Sequence, residues 1–146
     1  MKFVVQRVKS ASLRVNGELV SEIGRGLVVY IGVKQGDTLA AAEKCAEKIA
    51  KLRVFPDENG KLNLSVKDVG GEVLVVSNFT LYGDIRRGNR PSFTEAESAR
   101  TAHLTLLGFN MKLASLGVPY KYGVFGADMQ ILQENDGPVT IVHEVE

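Results

Sequence analysis

The sequence is short of the features that mark secreted and membrane proteins. It has one cysteine and no tryptophan among its 146 residues, so no disulfide can form within the chain. The opening stretch, MKFVVQRVKS, has too short an apolar run for a signal peptide, and no stretch approaches the roughly 20 apolar residues of a membrane span. We therefore expect a cytoplasmic protein without a membrane partner.

Charge of one sign is not in excess either. Eighteen Lys and Arg residues against 17 Asp and Glu residues give a formal net charge of +1. This balance excludes a global field that would draw the chain onto nucleic acid, so any RNA contact must be local. A chain of this length is expected to fold as one domain, residues 1–146, and to bury roughly two-thirds of its unfolded surface.

The residue patterns of catalytic triads and metal centres are also missing. His103, His143 and Cys45 are not paired by spacing, and packing or surface exposure is the simpler interpretation of each. The sequence has no HExxH motif and no cysteine pair, so we expect no metal and no cofactor. The stretch GRG lacks the context of a nucleotide-phosphate loop.

What is present is a strand-rich pattern with two helices, which predicts an α+β fold. KFVVQRV, ASLRV, ELVSEI and LVVYIGV are predicted as strands of an antiparallel meander, with Asn16-Gly17 as a hairpin turn. A helix should follow, with Asp37 or Thr38 as its N-cap. One apolar stripe at helical spacing supports it: Leu39, Ala42, Cys45, Ala46, Ile49 and Leu52. EVLVVSNFTL is predicted as a long central strand, and residues 120–146 as strand, turn and strand.

A second helix is predicted from about Thr94 to Leu116. It carries two apolar stripes on nearly opposite sides. One comprises Leu104, Leu107, Met111 and Ala114, and the other Leu106, Phe109, Leu113 and Leu116. A surface helix needs only one such stripe. Two explanations are open: a deeply packed helix, or a second stripe that contacts another subunit.

The polar residues that follow the apolar strand are the first candidates for chemistry. In SNFTL, residues 77–81, hydroxyls and an amide come directly after EVLVV. The simpler interpretation is a strand that leaves the core. Alternatively, backbone N–H groups that lose their strand partner there, beside the hydroxyls of Ser77 and Thr80, can hydrogen-bond a developing oxyanion.

Two further segments permit a structural or a functional interpretation. NDGPVT, residues 135–140, fits a plain hairpin turn, because Pro138 cannot donate to a strand ladder. A cis bond before that proline would instead direct two carbonyl oxygens to one side as a rigid wall. DIRRGNRPSF contains Arg86, Arg87 and Arg90, which suit either a solvated surface or phosphate contacts.

Taken together, SNFTL, RRGNRPSF, GVFGADMQ and NDGPVT, in this order after VVQRV, resemble D-aminoacyl-tRNA deacylases over essentially the whole chain. The resemblance implies an antiparallel-rich, β-barrel-like sheet with two main helices outside. It also implies a homodimer with the active site at the subunit interface, and hydrolysis of the ester between a D-amino acid and the 3′ end of tRNA. Glycyl-tRNA mischarged on tRNA(Ala) is a further substrate of the family.

The same resemblance implies where the reaction and the selection occur. Gly137 and Pro138 would form a Gly-cisPro element, braced by Arg7, that enters the partner subunit's pocket and excludes L-amino acids by clash. Backbone N–H groups near Phe79 and Thr80 would hold the oxyanion, while the terminal 2′-OH of the RNA helps to activate water.

The remaining implied roles concern binding. Ser77 would line the catalytic site together with Phe79 and Thr80. The terminal adenosine would lie against Phe125, Gly126, Ala127 and Met129, with core packing as the alternative for Met129. Apart from the resemblance, the arginine-rich pattern itself predicts that Arg86, Arg87 and Arg90 contact the phosphates of tRNA.

One position departs from the family pattern. Asn78 stands where the family usually has Gln, so its amide, expected to bind substrate, is one methylene shorter. Two rival functions follow. The first is a dimeric protein that grips the acceptor end of tRNA without hydrolysis, which the Asn78 change supports. The second is a related deacylase with a trans Gly-Pro bond that removes small L-amino acids, and Arg7 argues against it.

Overall fold

The computed structural model describes the whole chain, Met1 to Glu146. Its elements are β1 (Lys2–Val15), β2 (Glu18–Ile23), β3 (Gly26–Gly32), α1 (Leu39–Lys51), β4 (Phe55–Pro56), β5 (Leu62–Leu64), β6 (Glu72–Ser77), a 3-10 turn (Phe79–Tyr82), α2 (Ala99–Ser115), β7 (Tyr120–Tyr122) and β8 (Gln130–Glu144). Neither α1 nor α2 has the length and apolar character that crossing a bilayer requires.

One six-stranded mixed sheet forms the body of the protein. Its order is β2-β1-β3-β6-β7, with β8 also paired to β1. β1 is antiparallel to β2, β3 and β8, whereas β6 is parallel to β3 and β7. Ser21 Oγ donates to Tyr122 O at 2.6 Å, and Lys121 Nζ donates to Glu22 O at 2.6 Å. These bonds join β2 to β7 and nearly close the sheet, so the predicted barrel-like α+β fold is confirmed.

The first strand is longer than predicted. The prediction of two separate strands, KFVVQRV and ASLRV, is wrong, because β1 runs without a break from Lys2 to Val15. β8 pairs with β1 along nearly its whole length, and this pairing keeps the polar residues Lys9 and Ser10 in the sheet. The predicted hairpin is confirmed, since Asn16 and Gly17 have φ values of 50° and 80°, as a type I′ turn requires.

The first helix begins where its sequence predicts. Thr38 is the N-cap, and its hydroxyl accepts from Ala41 N–H at 3.2 Å. The Asp37 carboxylate instead accepts from Lys34 N–H at 2.6 Å, which closes the turn before the helix. Burial raises the pKa of the Cys45 thiol on the inner face of α1 to about 11. Cys45 is therefore a small buried hydrophobe, as predicted.

The second helix begins at Ala99 and not near Thr94. The residues before it form a turn, closed by Ala96 N–H donating to Phe93 O at 3.1 Å, and they bond to the residues that follow β3. Gln35 N–H donates to Glu95 O at 2.9 Å, and Glu97 N–H donates to Val33 O at 2.9 Å. These bonds override the helical pattern of residues 94–98.

Only one of the two apolar stripes of α2 faces the core. Leu106, Phe109 and Leu113 are buried, whereas the other stripe is exposed at Leu104, Leu107 and Met111. The explanation of a deeply packed helix is therefore wrong. Contact of the exposed stripe with another subunit stays a prediction.

Apolar side chains fill both faces of the two inner strands, β3 and β6. A cluster of 23 buried residues lies between the sheet and the helices. A smaller cluster of seven occupies the other face, inside the barrel: Val8, Ala11, Leu13, Ile23, Val28, Leu74 and Val76. Strands buried on both faces are rigid supports. The polar residues that follow β6 therefore start from a fixed point.

Candidate functional site

A cavity of about 570 Å³ opens where β3 and β6 end, and we name it the central pocket. Its walls come from these strand ends, the 3-10 turn, the first half of α2 and residues 125–131, and 12 of its 18 lining residues are hydrophobic. Seven predicted site residues lie in this lining: Ser77, Asn78, Phe79, Phe125, Gly126, Ala127 and Met129. Its volume and mostly apolar wall are typical of a small-molecule or nucleoside site.

The polar motif after β6 forms a tight turn. The strand ends at Ser77, and Phe79–Tyr82 make a turn of 3-10 helix, so the predicted continuous strand through Leu81 is wrong. Asn78 caps this turn, because its Oδ1 accepts from Thr80 N–H at 3.2 Å and from the Thr80 hydroxyl. An asparagine side chain that bonds the backbone two residues on competes with the strand ladder.

The Thr80 hydroxyl has no partner that can take its proton. It donates to the amide oxygen of Asn78, which is an acceptor but not a base at neutral pH. No histidine or carboxylate side chain hydrogen-bonds it. Since an unactivated hydroxyl is a poor nucleophile, the geometry favours Thr80 as part of the cap.

The cap also engages a backbone donor. Thr80 N–H, one of the groups expected to hold an oxyanion, points at Asn78 Oδ1. The Phe79 side chain, 57% exposed, projects beside it and meets Phe93 edge to face, with ring centroids 5.1 Å apart. Phe93, to which the sequence patterns assigned no role, is therefore a neighbour of the candidate site. The alternation Ser92-Phe93-Thr94, apolar between two hydroxyls, is a signal that could have identified it.

The opposite wall of the pocket is built around Phe125. Its ring stacks on His103 of α2, with centroids 4.7 Å apart and an interplanar angle of 12°. Gly126 has a φ of 79°, which favours glycine, and this turn brings Ala127 and Met129 into the lining. Met129 also packs against the cluster inside the barrel, so it is wall and core at once. His103 has the packing role expected of it.

Gly137 and Pro138 lie elsewhere. NDGPVT is not a hairpin turn, because β8 continues through it from Gln130 to Glu144. The pairing of β8 with β1 shifts register around Arg7, and the Gly137-Pro138 peptide bond is cis. Both residues are exposed, and neither lines the central pocket of its own chain.

Arg7 fixes the chain immediately before Gly137. Its Nε donates to Asp136 O at 2.8 Å, and its Nη1 donates to Val54 O at 2.7 Å. The Asp136 carboxylate lies 3.3 Å from Nε, and the Arg7 side chain is only 11% exposed. One charge-assisted bond therefore holds Asp136 of β8, and the other anchors the Arg7 side chain to Val54, which precedes β4.

The three arginines of the 84–95 loop are not equivalent. Arg86 forms a bidentate ion pair with Asp84, Nε to Oδ1 at 2.9 Å and Nη2 to Oδ2 at 2.8 Å. Hydrogen bonds from Arg86 lower the pKa of Asp84 to about 2, so the pair stays charged at neutral pH. Arg87 and Arg90 make no ion pair, and they line a separate polar cavity of about 450 Å³.

The structure thus gathers some predicted site residues and separates others. The 77–79 and 125–129 segments share one cavity, and Thr80 is joined to it through Asn78. The Gly137-Pro138 segment and the arginine loop lie outside that cavity. No cluster of three or more His, Cys, Asp or Glu side chains is placed to hold a metal ion.

Comparison of the sequence with known proteins gives a consistent picture. A family model described as D-Tyr-tRNA(Tyr) deacylase matches residues 4–144. The chain is 52% identical to a D-aminoacyl-tRNA deacylase of Thermomicrobium roseum, over 97% of this chain and 92% of that protein. It is 51% identical to a D-aminoacyl-tRNA deacylase of Carboxydothermus hydrogenoformans, over 99% of this chain and all of that protein.

Solved structures agree on the fold. A protein described as c-Myc DNA Unwinding Element Binding Protein superposes with a TM-score of 0.93 and 43% identity, over 100% of this chain and 99% of the other. A probable eukaryotic D-amino acid tRNA deacylase superposes with a TM-score of 0.85, over 97% of each chain. Its 17% identity makes it a likeness of fold alone.

Proposed function

The chain belongs to the D-Tyr-tRNA(Tyr) deacylase family, and we propose that it hydrolyses the ester between a D-amino acid and the 3′ end of tRNA. The observation that carries this proposal is the convergence of residues 77–79 and 125–129, on either side of α2 in sequence, on one cavity. Water adds to the ester carbonyl, and the products are the free D-amino acid and tRNA with its 3′ hydroxyl. The reaction is placed in the cytoplasm, where charged tRNA is used.

The central pocket takes the terminal adenosine of tRNA. The face of Phe125 and the thioether of Met129 provide a surface on which a base can stack. His103 supports the Phe125 ring by stacking on it. Because Ser77 and Phe79 line the same cavity, an adenosine bound there carries its ester to the start of the 3-10 turn.

The protein supplies geometry, and the RNA supplies the group that helps to activate water. No base is within hydrogen-bonding reach of the Thr80 hydroxyl, so a covalent intermediate on Thr80 is not part of the proposal. The terminal 2′-OH lies next to the ester in the substrate itself. The backbone N–H of Phe79 stabilises the oxyanion. The backbone N–H of Thr80 contributes a second hydrogen bond to the oxyanion while it also donates to Asn78 Oδ1.

Selection against L-amino acids comes from Gly137 and Pro138 of a second copy of the chain. They are exposed, lie outside the pocket of their own chain, and follow a residue fixed by Arg7. A chiral filter must present fixed atoms where the unwanted side chain would lie. Gly137 and Pro138 meet this requirement, because they lie on a fixed strand and are exposed to a neighbouring molecule.

The outer face of β8 is the surface on which the two copies meet. Leu132 and Val142 on this strand are 78% and 65% exposed, and large apolar side chains exposed along one strand favour a protein interface. Gly137 and Pro138 lie between them in the same strand. A homodimer formed here with two-fold symmetry carries each filter towards the other copy.

The filter also predicts activity on an achiral substrate. Glycine has no side chain to clash with Gly137 and Pro138, so glycyl-tRNA, including glycine mischarged on tRNA(Ala), passes the filter. Rejection acts through a clash and not through a missing contact.

One assay distinguishes this function from its rivals. The protein is incubated with D-tyrosyl-, L-tyrosyl-, L-alanyl- and glycyl-tRNA, and loss of each ester is followed. Hydrolysis of the D-tyrosyl and glycyl esters alone is expected. If no ester is hydrolysed but tRNA still binds, the protein is a binding protein. The unusual Asn78 favours this alternative. Hydrolysis of L-alanyl-tRNA would identify the deacylase type that removes small L-amino acids.

A further inference from the structure

The 84–95 loop encloses a second cavity beside the central pocket, and we name it the loop pocket. It is lined by eight residues, none of them hydrophobic: Asp84, Arg86, Arg87, Gly88, Arg90, Ser92, Thr94 and Glu95. Asp84 and Ser92 close the base of the loop through two backbone bonds, Asp84 N–H to Ser92 O at 2.8 Å and Ser92 N–H to Asp84 O at 2.9 Å. The loop is therefore a closed hairpin with a defined interior.

Charge inside the loop pocket is divided between paired and unpaired groups. Arg86 is held by Asp84 through both carboxylate oxygens, and its own N–H also donates to Asp84 at 2.9 Å. Glu95, the other carboxylate, lies 3.9 Å from Lys34. Arg87 and Arg90 have no carboxylate partner within 4.0 Å. Two guanidiniums are thus free to bind an anion, and the hydroxyls of Ser92 and Thr94 lie in the same wall.

This wall is shared with the site of ester hydrolysis. Ser92 and Thr94 face the loop pocket, while Phe93 between them packs edge to face on Phe79. The loop pocket is therefore linked through Phe93 to Phe79, in the motif proposed to hold the ester. An RNA chain that leaves the central pocket on this side passes the loop pocket first.

We propose that Arg87 and Arg90 bind a backbone phosphate of the single-stranded 3′ end of tRNA, and that Arg86, paired with Asp84, positions the loop without contacting the RNA. The inference rests on the proposed function and adds the division of labour among the three arginines. Guanidinium forks with neighbouring hydroxyls match the oxygens of a phosphodiester. The bidentate ion pair between Arg86 and Asp84, which are two residues apart, stabilises the shape of the hairpin.

The test compares two substrates that differ in phosphates. They are the D-tyrosyl ester of adenosine, which has none, and the D-tyrosyl ester of the trinucleotide CCA. Arg87→Gln and Arg90→Gln should each lower kcat/KM for the trinucleotide ester roughly five- to tenfold, mainly through KM, and leave the adenosine ester unchanged within about twofold. The double variant Asp84→Asn/Arg86→Gln keeps the net charge but loses the ion pair that positions the loop, so it should lower kcat/KM for the trinucleotide ester by a smaller factor, roughly threefold, and leave the adenosine ester unchanged. The matched control is Lys48→Gln on the exposed face of α1, which should behave as the wild type on both esters.

Binding of uncharged CCA provides a readout that is independent of catalysis. The slope of log K against log salt concentration should fall by about 0.7 for Arg87→Gln and for Arg90→Gln, as expected for one phosphate contact to a single strand. It should not change in the double variant. A fall of the slope in the double variant as large as in Arg87→Gln and Arg90→Gln would overturn the division of labour, and no fall in any variant would overturn the phosphate site. Failure of the wild type to hydrolyse either ester would instead refute the proposed function.

Discussion

The central pocket lies at the ends of β3 and β6, strands whose two faces are both buried, whereas Gly137 and Pro138 lie on β8, a strand with no fully buried residue. Five residues of the pocket lining belong to the buried core: Ile31, Val33, Val76, Ala102 and Leu106. The Gly137-Pro138 segment is held from one side, by Arg7. On the proposed function, one protomer has a pocket without its filter and a filter without a pocket, which is the arrangement that two interlocking copies would need.

The largest expected effect comes from filling the pocket while leaving the filter intact. Ala127→Trp places a large ring in the cavity and should lower kcat/KM for D-tyrosyl-tRNA by roughly 100-fold or more, because the adenosine loses its stacking surface and its space. Ala40→Trp, on the exposed side of α1, is the matched control and should leave activity unchanged. Steady-state kinetics decide, and full activity in Ala127→Trp would mean that the substrate binds elsewhere.

The next effect comes from loosening the filter while leaving the pocket intact. Arg7→Ala removes two charge-assisted bonds and leaves Asp136 O and Val54 O without them, so the free energy of unfolding should fall by about 2–4 kcal/mol. The ratio of D- to L-tyrosyl-tRNA hydrolysis should fall about tenfold, since a mobile filter rejects less well. Denaturant unfolding and the two ester assays measure these changes.

Arg14→Ala serves as the control for Arg7, because Arg14 lies on the same strand but is exposed. It should change neither stability nor selectivity. If a folded Arg7→Ala protein kept the D-to-L selectivity of the wild type, Arg7 would not be needed to hold Gly137 and Pro138 in place. The contrast drawn between the pocket and the filter would then be wrong.

A smaller effect is expected at Thr80, within the pocket region. Because its hydroxyl donates to an amide and not to a base, Thr80→Ala should keep kcat within about fivefold of the wild type. Single-turnover hydrolysis of D-tyrosyl-tRNA is the suitable measurement. A loss of about 1,000-fold or more, with tRNA binding retained, would make Thr80 a reactive group.

The smallest effects are expected at Asn78. Two variants there distinguish the contribution of the shape of the 3-10 turn from that of its charge. Asn78→Ala removes the cap of the 3-10 turn and should lower the free energy of unfolding by about 1 kcal/mol. Asn78→Asp keeps the cap and the stability, but it places a negative charge beside the developing oxyanion and should lower kcat more than Asn78→Ala does. The opposite order of the two kcat values would mean that the turn, and not its electrostatics, limits the reaction.

The fold was largely predictable because its signals are local. The Asn16-Gly17 turn, the Thr38 cap and the apolar stripe of α1 each depend on residues close in sequence. One error is local, because the cap of Thr80 by Asn78 ends the strand that was predicted to run through Leu81. The others arise from pairing between distant segments: β8 keeps Lys9 and Ser10 in one long strand, and the residues after β3, Val33 and Gln35, pair with Glu97 and Glu95 and hold residues 94–98 out of α2. Such tertiary pairings override local propensity.

The sequence predicted which segments share the central pocket but not how their side chains are arranged. The motifs select residues 77–79 and 125–129, which line one cavity, yet the bond from Thr80 to Asn78 and the stack of His103 on Phe125 depend on side-chain geometry. The arginine loop is similar, because three equivalent letters in sequence become one paired and two unpaired cations. Only Asp84 at two residues' distance from Arg86 hinted at this pairing.

The central claim, that the filter of one copy serves the pocket of the other, can be tested by mixing two variants. Pro138→Gly removes the ring from the filter and should hydrolyse both D- and L-tyrosyl-tRNA, whereas Ala127→Trp has an intact filter and a blocked pocket. The two chains are unfolded, mixed with Ala127→Trp in tenfold excess, and refolded together. We predict that hydrolysis of L-tyrosyl-tRNA per Pro138→Gly chain falls roughly tenfold, as random pairing of the chains requires, while hydrolysis of D-tyrosyl-tRNA persists. Persistent L-tyrosyl-tRNA hydrolysis in mixed dimers would contradict the account.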